Sequence, residues 1–263
     1  MGKMSRSYVG DPIGSFYGYN AIGIFNTQAE VDAANKKARD YAKAQNPALT
    51  EAQLAGIYYI HAKTAPGDRI FEDRNGDGII TDKDQMNLGS GNPKMQYGLN
   101  FSADYEGFDM ALNFTGVAGV QIYSMFEPAL SLPGRFGSLS SMQDHWTPTN
   151  QTDNFPRYTI SDPNGNGRAS NIWIHDGSYF RLQNLIVGYT LPTNLVSKIK
   201  LSSLRVFANA QNLFTITNYP FLEPEVISND AYLGGGSVDL SAGVDAGSAP
   251  MPLTVMFGLN VKF

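Results

Sequence analysis

An all-β chain is predicted, arranged as an antiparallel up-and-down sheet, and three observations predict it. Apolar residues alternate with polar or small ones along several long segments, which is the period of a strand with two unlike faces. Two of those segments are separated by only two residues. The connections between successive segments alternate between short and long.

In Tyr97 to Tyr105 the apolar Tyr97, Leu99, Phe101, Ala103 and Tyr105 alternate without exception with Gly98, Asn100, Ser102 and Asp104. The pair Glu106-Gly107 then leads into Phe108, Met110, Leu112 and Phe114, so the two segments read as a tight hairpin. The last residues repeat the device, with Val255, Phe257, Leu259, Val261 and Phe263 on one face. Three further strands are expected at Tyr17 to Phe25, Ser178 to Thr190 and Leu201 to Leu213. Within the second, Phe180 and Leu182 share one parity while Leu185, Val187 and Tyr189 share the other, which predicts a β-bulge near Asn184.

Between these strands the connections hold roughly 70 residues, then two, then roughly 60, about 10 and roughly 40. An outer-membrane barrel sorts its loops in this way, with tight periplasmic turns and extended external loops, whereas a soluble sandwich has no reason to. With the end of the chain on the periplasmic side, residues 26–96, 117–177 and 214–253 are expected outside. The first of these loops holds two helix starts: Thr27-Gln28-Ala29-Glu30 and Thr50-Glu51-Ala52-Gln53 are both capping boxes. Aliphatic residues are sparse behind them, so a surface excursion is expected. The last loop, from Gly234-Gly235-Gly236 to Pro250, is expected to be mobile.

Composition agrees with a barrel. Of 263 residues 16% are charged and 12% aromatic, with 27 glycines and no cysteine, which excludes a coiled coil, a disulfide scaffold and a thiolate metal site. A net charge of −5 gives no nucleic-acid footprint. No apolar run reaches the length of a spanning helix, and Met1 to Ser7 lack the apolar core of a secretion signal. Six strands cannot close a membrane barrel, whose smallest forms have about eight. The expectation is therefore one segment, residues 1–263, of something larger.

The sharpest chemical pattern is Asp73-Arg74-Asn75-Gly76-Asp77-Gly78-Ile79-Ile80-Thr81-Asp82-Lys83-Asp84. Counted from Asp73, oxygen donors fall at positions 1, 3, 5 and 12, the Ile79 carbonyl at 7 and a glycine at 6, which is the spacing of a calcium loop of the EF-hand type. Asp73, Asn75, Asp77, Ile79 and Asp84 are the expected Ca2+ ligands, with a structural role in an external loop. Asp162 to Gly167 reads as a turn. His61, His145 and His175 lie far apart in sequence and suggest no zinc site. Glu223 and Glu225 have no spacing logic of a glycosidase dyad. With no nucleophile and base to name, an enzyme is not expected. Tyr17, Tyr19, Tyr97, Tyr105, Phe108, Tyr179, Phe180, Tyr189 and Phe263 fall at strand ends, as girdle residues do. Trp146, Trp173, Tyr123 and Phe126 fall in external loops, where stacking on a sugar, contact with a partner and packing within the loop are all open readings.

Several segments together resemble the C-terminal part of the SusC/RagA family of TonB-linked outer-membrane proteins. They are Val9 to Tyr19 with Gly23-Ile24-Phe25; Asp73 to Asp84 with Gly89-Ser90-Gly91-Asn92-Pro93 and Tyr97-Gly98-Leu99-Asn100; Trp146-Thr147-Pro148 with Phe155-Pro156-Arg157; Asp176 to Asn184 with Gly188-Tyr189-Thr190-Leu191-Pro192; Gln211-Asn212-Leu213-Phe214; and the terminal Phe263. The resemblance implies a barrel of roughly 22 strands in which this chain supplies about six. It also implies import of oligosaccharides or peptides with a SusD-like surface lipoprotein, driven through a TonB complex that other regions contact, so that this segment alone does not transport. The competing reading is a secreted soluble β-domain with a dockerin-like calcium loop that binds glycan or protein.

Overall fold

The structure, a computed structural model, describes residues 4–131, 139–226 and 242–263. The Gly234-Gly235-Gly236 stretch of the last connection lies outside the described residues. In chain order the strands are β1 (Ser5–Arg6), β2 (Ser15–Gly18), β3 (Ala21–Ile24), β4 (Arg69–Phe71), β5 (Met86–Gly89), β6 (Met95–Tyr105), β7 (Phe108–Ala118), β8 (Gln121–Ser124), β9 (Ile174–Asp176), β10 (Tyr179–Thr190), β11 (Ser203–Thr217), β12 (Val244–Asp245) and β13 (Thr254–Lys262). The helices are α1 (Gln28–Gln45), α2 (Glu51–Ala55), α3 (Glu127–Leu130) and α4 (Thr193–Val196). They belong to two compact units.

The strand unit is one five-stranded sheet in the order β13-β11-β10-β7-β6, every pair antiparallel. Strands of 9 to 15 residues are long enough to cross a bilayer, which takes about 9–11. β6 and β7 are joined at Glu106-Gly107, both at positive φ, as a two-residue hairpin turn requires. β10 and β11 are joined by Leu191 to Ser202, and the other connections are long. The register of β10 shifts between Leu182 and Asn184 against both neighbours, so the expected bulge is present.

The loop unit takes in the chain up to Gly91 together with Tyr123–Ile174 and the stretch ending at Gly247. Tyr17 to Phe25, expected as a sixth barrel strand, is here instead. It divides into β2, which pairs with β1 and β5, and β3, which pairs with β4. The physical reason is burial: Phe16, Tyr19, Ile24 and Phe25 are all enclosed and Ile22 is the one exposed large apolar side chain of the segment, so it presents no continuous face outward as a wall strand must.

The helices also differ from expectation. Both capping boxes form, at Thr27/Glu30 and Thr50/Gln53, but Val31 and Ala38 of α1 and Leu54 of α2 are buried. Val31 packs with Tyr19, Phe25, Tyr59, Phe71 and Ile80, so aromatic residues from elsewhere supply the core that the helix's own few aliphatics cannot. A second cluster joins Phe16, Tyr123, Trp173 and Val244.

Polar residues tie the rest of the loop unit. Arg157 donates to both oxygens of Asp68, at 2.8 and 3.0 Å, and Asn166 Nδ2 donates to Asp68 Oδ1. Asn166 Oδ1 accepts from the Arg69 N–H and from Asn164, whose own Oδ1 accepts from Thr64. Asp162 to Gly167 is thus a turn, as expected, with Asp162 accepting from the N–H groups of Asn166 and Gly167. Its two asparagines nevertheless lie wholly inside.

Candidate functional site

The register sorts the five strands into two chemically distinct faces. Directly paired residues share a face, so one face carries Leu99, Phe101, Leu112, Met110, Leu185, Val187, Ala210, Ala208, Val255 and Phe257. The other carries Asn100, Asn113, Asn184, Gln211 and Thr254 in a single row, with Asp109, Arg205 and Asn209 nearby. The bulge keeps this sorting intact. By inserting Gln183 it returns Phe180 and Leu182 to the apolar face, opposite Gly116 and Phe114, and leaves Arg181 on the polar one.

On the apolar face Leu99, Phe101, Val187, Val255 and Phe257 are exposed while Met110, Leu112 and Leu185 are half-buried and Leu182 is enclosed, and aromatic rings gather at its two ends. At the long-loop end Phe180 stacks on Phe114 at 5.1 Å and lies 6.2 Å from Tyr97. Gly116 makes room there: a Cβ on it would stand 2.6 Å from the Tyr97 ring. At the short-turn end Phe108 packs on Tyr189 at 4.4 Å, opposite Tyr105. Tyr97 and Tyr105 are eight residues apart on one strand, about 26 Å along it at about 3.3 Å per residue, or about 20 Å along the membrane normal at a strand tilt of about 40°. The apolar band of an outer-membrane barrel between its two aromatic girdles is about 25 Å tall. Tyr17 and Tyr19, expected as girdle residues, belong to the loop unit, and Tyr19 is buried among its core residues.

The polar face is braced by hydrogen bonds and ion pairs. Asn113 Nδ2 donates to Asn100 at 2.6 Å, and Arg205 Nε donates to Asp109 at 2.7 Å. The amide oxygens of Asn113, Asn184 and Asn209 are buried without a partner among the described residues. At the long-loop end buried Arg181 donates to Thr215, Glu223 and Glu225, and Glu223 also accepts from the Glu225 and Met251 N–H groups. The acidic pair is therefore an arginine clamp that ties two loop segments to β10. Sequence reading could not place these carboxylates because their partner lies about 40 positions away.

The calcium-type loop folds as a self-bonded turn. Asp73 accepts from the Gly76 and Gly78 N–H groups and from Lys37 Nζ at 2.6 Å, while Asn75 and Asp77 bond each other and Asp77 accepts from the Ile79 N–H. Asp84, fully buried, accepts from the Arg74 and Thr81 N–H groups. Burial alone would raise the Asp73 carboxyl, but Lys37 and the two N–H groups outweigh it and hold it below its usual range. Gly78 is at φ +80 with its Cα against the Ala38 backbone, where a Cβ would stand 2.6 Å away. The donor set suits a hard cation, yet among the described residues no group of three or more His, Asp or Glu side chains converges to hold a metal ion. His61, His145 and His175 each have a local role, at Lys63, at the Met142 carbonyl and against the Tyr219 and Phe221 rings.

For three of the loop aromatics, packing is the answer. Trp146 and Trp173 are buried and donate to Asn26 and to the Arg168 carbonyl, and Tyr123 packs in the second core cluster. Arg69 lies almost wholly inside near the Trp173 ring, and burial pushes its guanidinium down to about 10.

No protein-family model matches the chain. Among curated proteins it is 33% identical over 257 residues to TonB-dependent receptor P3 of Formosa agariphila, covering 97% of this chain and 22% of that protein. It is 28% identical to TonB-dependent receptor P26 of the same organism, over 98% of this chain and 23% of the relative. To TonB-dependent receptor SusC of Bacteroides thetaiotaomicron it is 27% identical, over 80% and 19%. The chain thus spans about a fifth of the length of the curated relatives it matches. Among solved structures, that of the RagAB peptide transporter superposes with a TM-score of 0.68 over 99% of this chain and 24% of that one, at 17% identity. A second, of the RagAB peptide importer in an open-open state, has a TM-score of 0.61. Proteins so named are receptors and transporters and not enzymes. The two-faced sheet with aromatic rings at both ends and the unbroken similarity to these receptors lead to one conclusion: the chain is a β-barrel segment belonging to the SusC/RagA type of TonB-dependent receptors.

Proposed function

We propose that this chain forms part of the wall, together with external loops, of an outer-membrane importer driven through TonB. The cargo is an oligosaccharide or peptide, a SusD-like surface lipoprotein is the partner at the outer mouth, and the segment does not transport alone. The observation that carries the reading is the division of five crossing strands into a wholly apolar face and a mixed one, which carries Ala111, Ile186, Phe207 and Met256 among its polar residues, with aromatic rings about 26 Å apart along the strand. The RagAB neighbours, described as a peptide transporter, support the peptide class of cargo, and the oligosaccharide class and the lipoprotein partner follow from the family resemblance. Calcium at Asp73, Asn75, Asp77, the Ile79 carbonyl and Asp84 is a further part of the reading. Complete donor spacing supports it, and it requires Lys37 to leave Asp73. Terbium luminescence that rises on titration and is quenched by excess calcium is the expected result for the loop, and no response contradicts it. For the main reading, the expected result is recovery of the protein in the outer-membrane fraction, with a surface lipoprotein co-purifying. Recovery as a detergent-free soluble monomer that unfolds cooperatively favours the secreted-domain alternative.

A further inference from the structure

One feature of the apolar face exceeds simple alternation. Near the short-turn end, Ala208 stands between Val187 and Phe257 in register, beside the row Tyr189, Val206 and Leu259. The small side chain leaves a notch among larger ones. An open groove of about 540 Å³ runs over it, lined by Phe108, Tyr189, Val206, Ala208, Phe257 and Leu259. Phe257 and Leu259 are largely exposed, so they stand off the sheet as one wall of the groove.

The adjoining connection, Leu191 to Ser202, is longer than a hairpin turn needs. It coils through α4 and a 3-10 turn at Ser197–Ile199, buries Val196, and turns Leu195 and Ile199 outward four residues apart. Lys198 and Lys200 are exposed beside them. Exposed apolar side chains next to lysines, at the end of a membrane wall, are the pattern of a segment seated in the headgroup region.

We infer that the groove and this turn together bind one anionic glycerophospholipid, an acyl chain lying over Ala208 and the phosphate meeting Lys198 and Lys200. The inference rests on the barrel reading above. Short turns mark the periplasmic side of such a barrel, so the lipid belongs to the inner leaflet. Two observations favour a lipid over a protein partner: the groove is continuous with the exposed apolar face, and the adjoining turn carries the exposed Lys198 and Lys200. A notch left unfilled loses dispersion contacts along its whole lining, so an ordered chain there gains over the mobile chains around it.

The test uses protein extracted from membranes in mild detergent and examined by native mass spectrometry with phosphatidylglycerol and phosphatidylethanolamine in equal amounts. One retained phospholipid per protein, with phosphatidylglycerol preferred, is expected. Ala208→Phe fills the notch and lowers retention about fivefold or more. Lys198→Gln with Lys200→Gln preserves retention but lowers the headgroup preference by about twenty-five-fold, at roughly fivefold per lysine. Ala103→Phe, on the same face outside the groove, leaves both unchanged. Equal loss in Ala208→Phe and Ala103→Phe, retention of lipid A instead, or no retention by the membrane-inserted protein overturns the inference alone. Protein found only in the soluble fraction overturns the barrel reading and this inference together.

Discussion

Phe71 and Phe257 are both strand phenylalanines of one chain, yet Phe71 is 1% exposed and Phe257 83%. Phe71 sits in the loop unit, where aromatic and aliphatic residues close on one another and burial in protein supplies the driving force. Phe257 sits in the strand unit, whose apolar side chains point away from the sheet and whose hydrogen bonds run between strands. The first arrangement is stable against water. The second needs a bilayer, because a contiguous apolar surface of this size is not tolerated in water. The long connections here are therefore not slack: they contain a small folded body with its own core and its own ion pair to the fully buried Asp68.

The largest expected effect lies in the loop unit. Arg157→Ala leaves the fully buried Asp68 carboxylate without its charged partner, at a cost of roughly 3–5 kcal/mol. Hydrogen exchange of the loop unit should accelerate accordingly while β6 to β13 stay protected. Acceleration in both units would mean that they unfold as one. Next comes Phe101→Arg, midway between the two aromatic rings on the apolar face, which is expected to cost about 2–4 kcal/mol in the membrane. The neighbouring Asn100→Arg, on the polar face, should cost much less, and equal costs in a bilayer-refolding titration would erase the distinction between faces. A smaller effect, about 1 kcal/mol, is expected when Thr27→Ala removes the side-chain cap of α1. Amide exchange confined to the first turns of α1 would register it.

The smallest effect concerns pH. The Asp73 carboxyl is held below its unfolded value in the folded loop, so its contribution is present in full above that unfolded value, near 4. It is lost as pH falls through the depressed folded value. Acidification through this range should loosen the Asp73–Asp84 loop before it disturbs β6 to β13. Loosening that begins near neutral pH would assign the transition to another group.

Much of the strand unit was legible because period-2 alternation is local. The hairpin at Glu106-Gly107, the terminal strand and the bulge near Asn184 all follow from side-chain parity alone. The loop unit was much less legible, since its stabilising contacts join distant positions: Asp68 with Arg157, Thr64 with Asn164, Asn26 with Trp146. Tyr17 to Phe25 misled because apolar residues enclosed in a small core can imitate a wall strand. The helices misled in the opposite sense, since Val31 is a modest signal until Tyr59 and Phe71 surround it. At the calcium-type loop the donor spacing was visible, but Lys37, which reaches Asp73 from α1, was not.

On the proposed reading, five strands form a membrane wall with one lipid-facing side. Because this chain has no cysteine, single cysteines at each position from Tyr97 to Tyr105 can carry spin labels in the membrane-inserted protein. Collision with oxygen, which concentrates in lipid, should peak at 97, 99, 101, 103 and 105, and collision with a water-soluble nickel chelate should not. Labels that report water at both parities, or lipid at the positions of Asn100 and Ser102, would rule out a wall with one lipid-facing side.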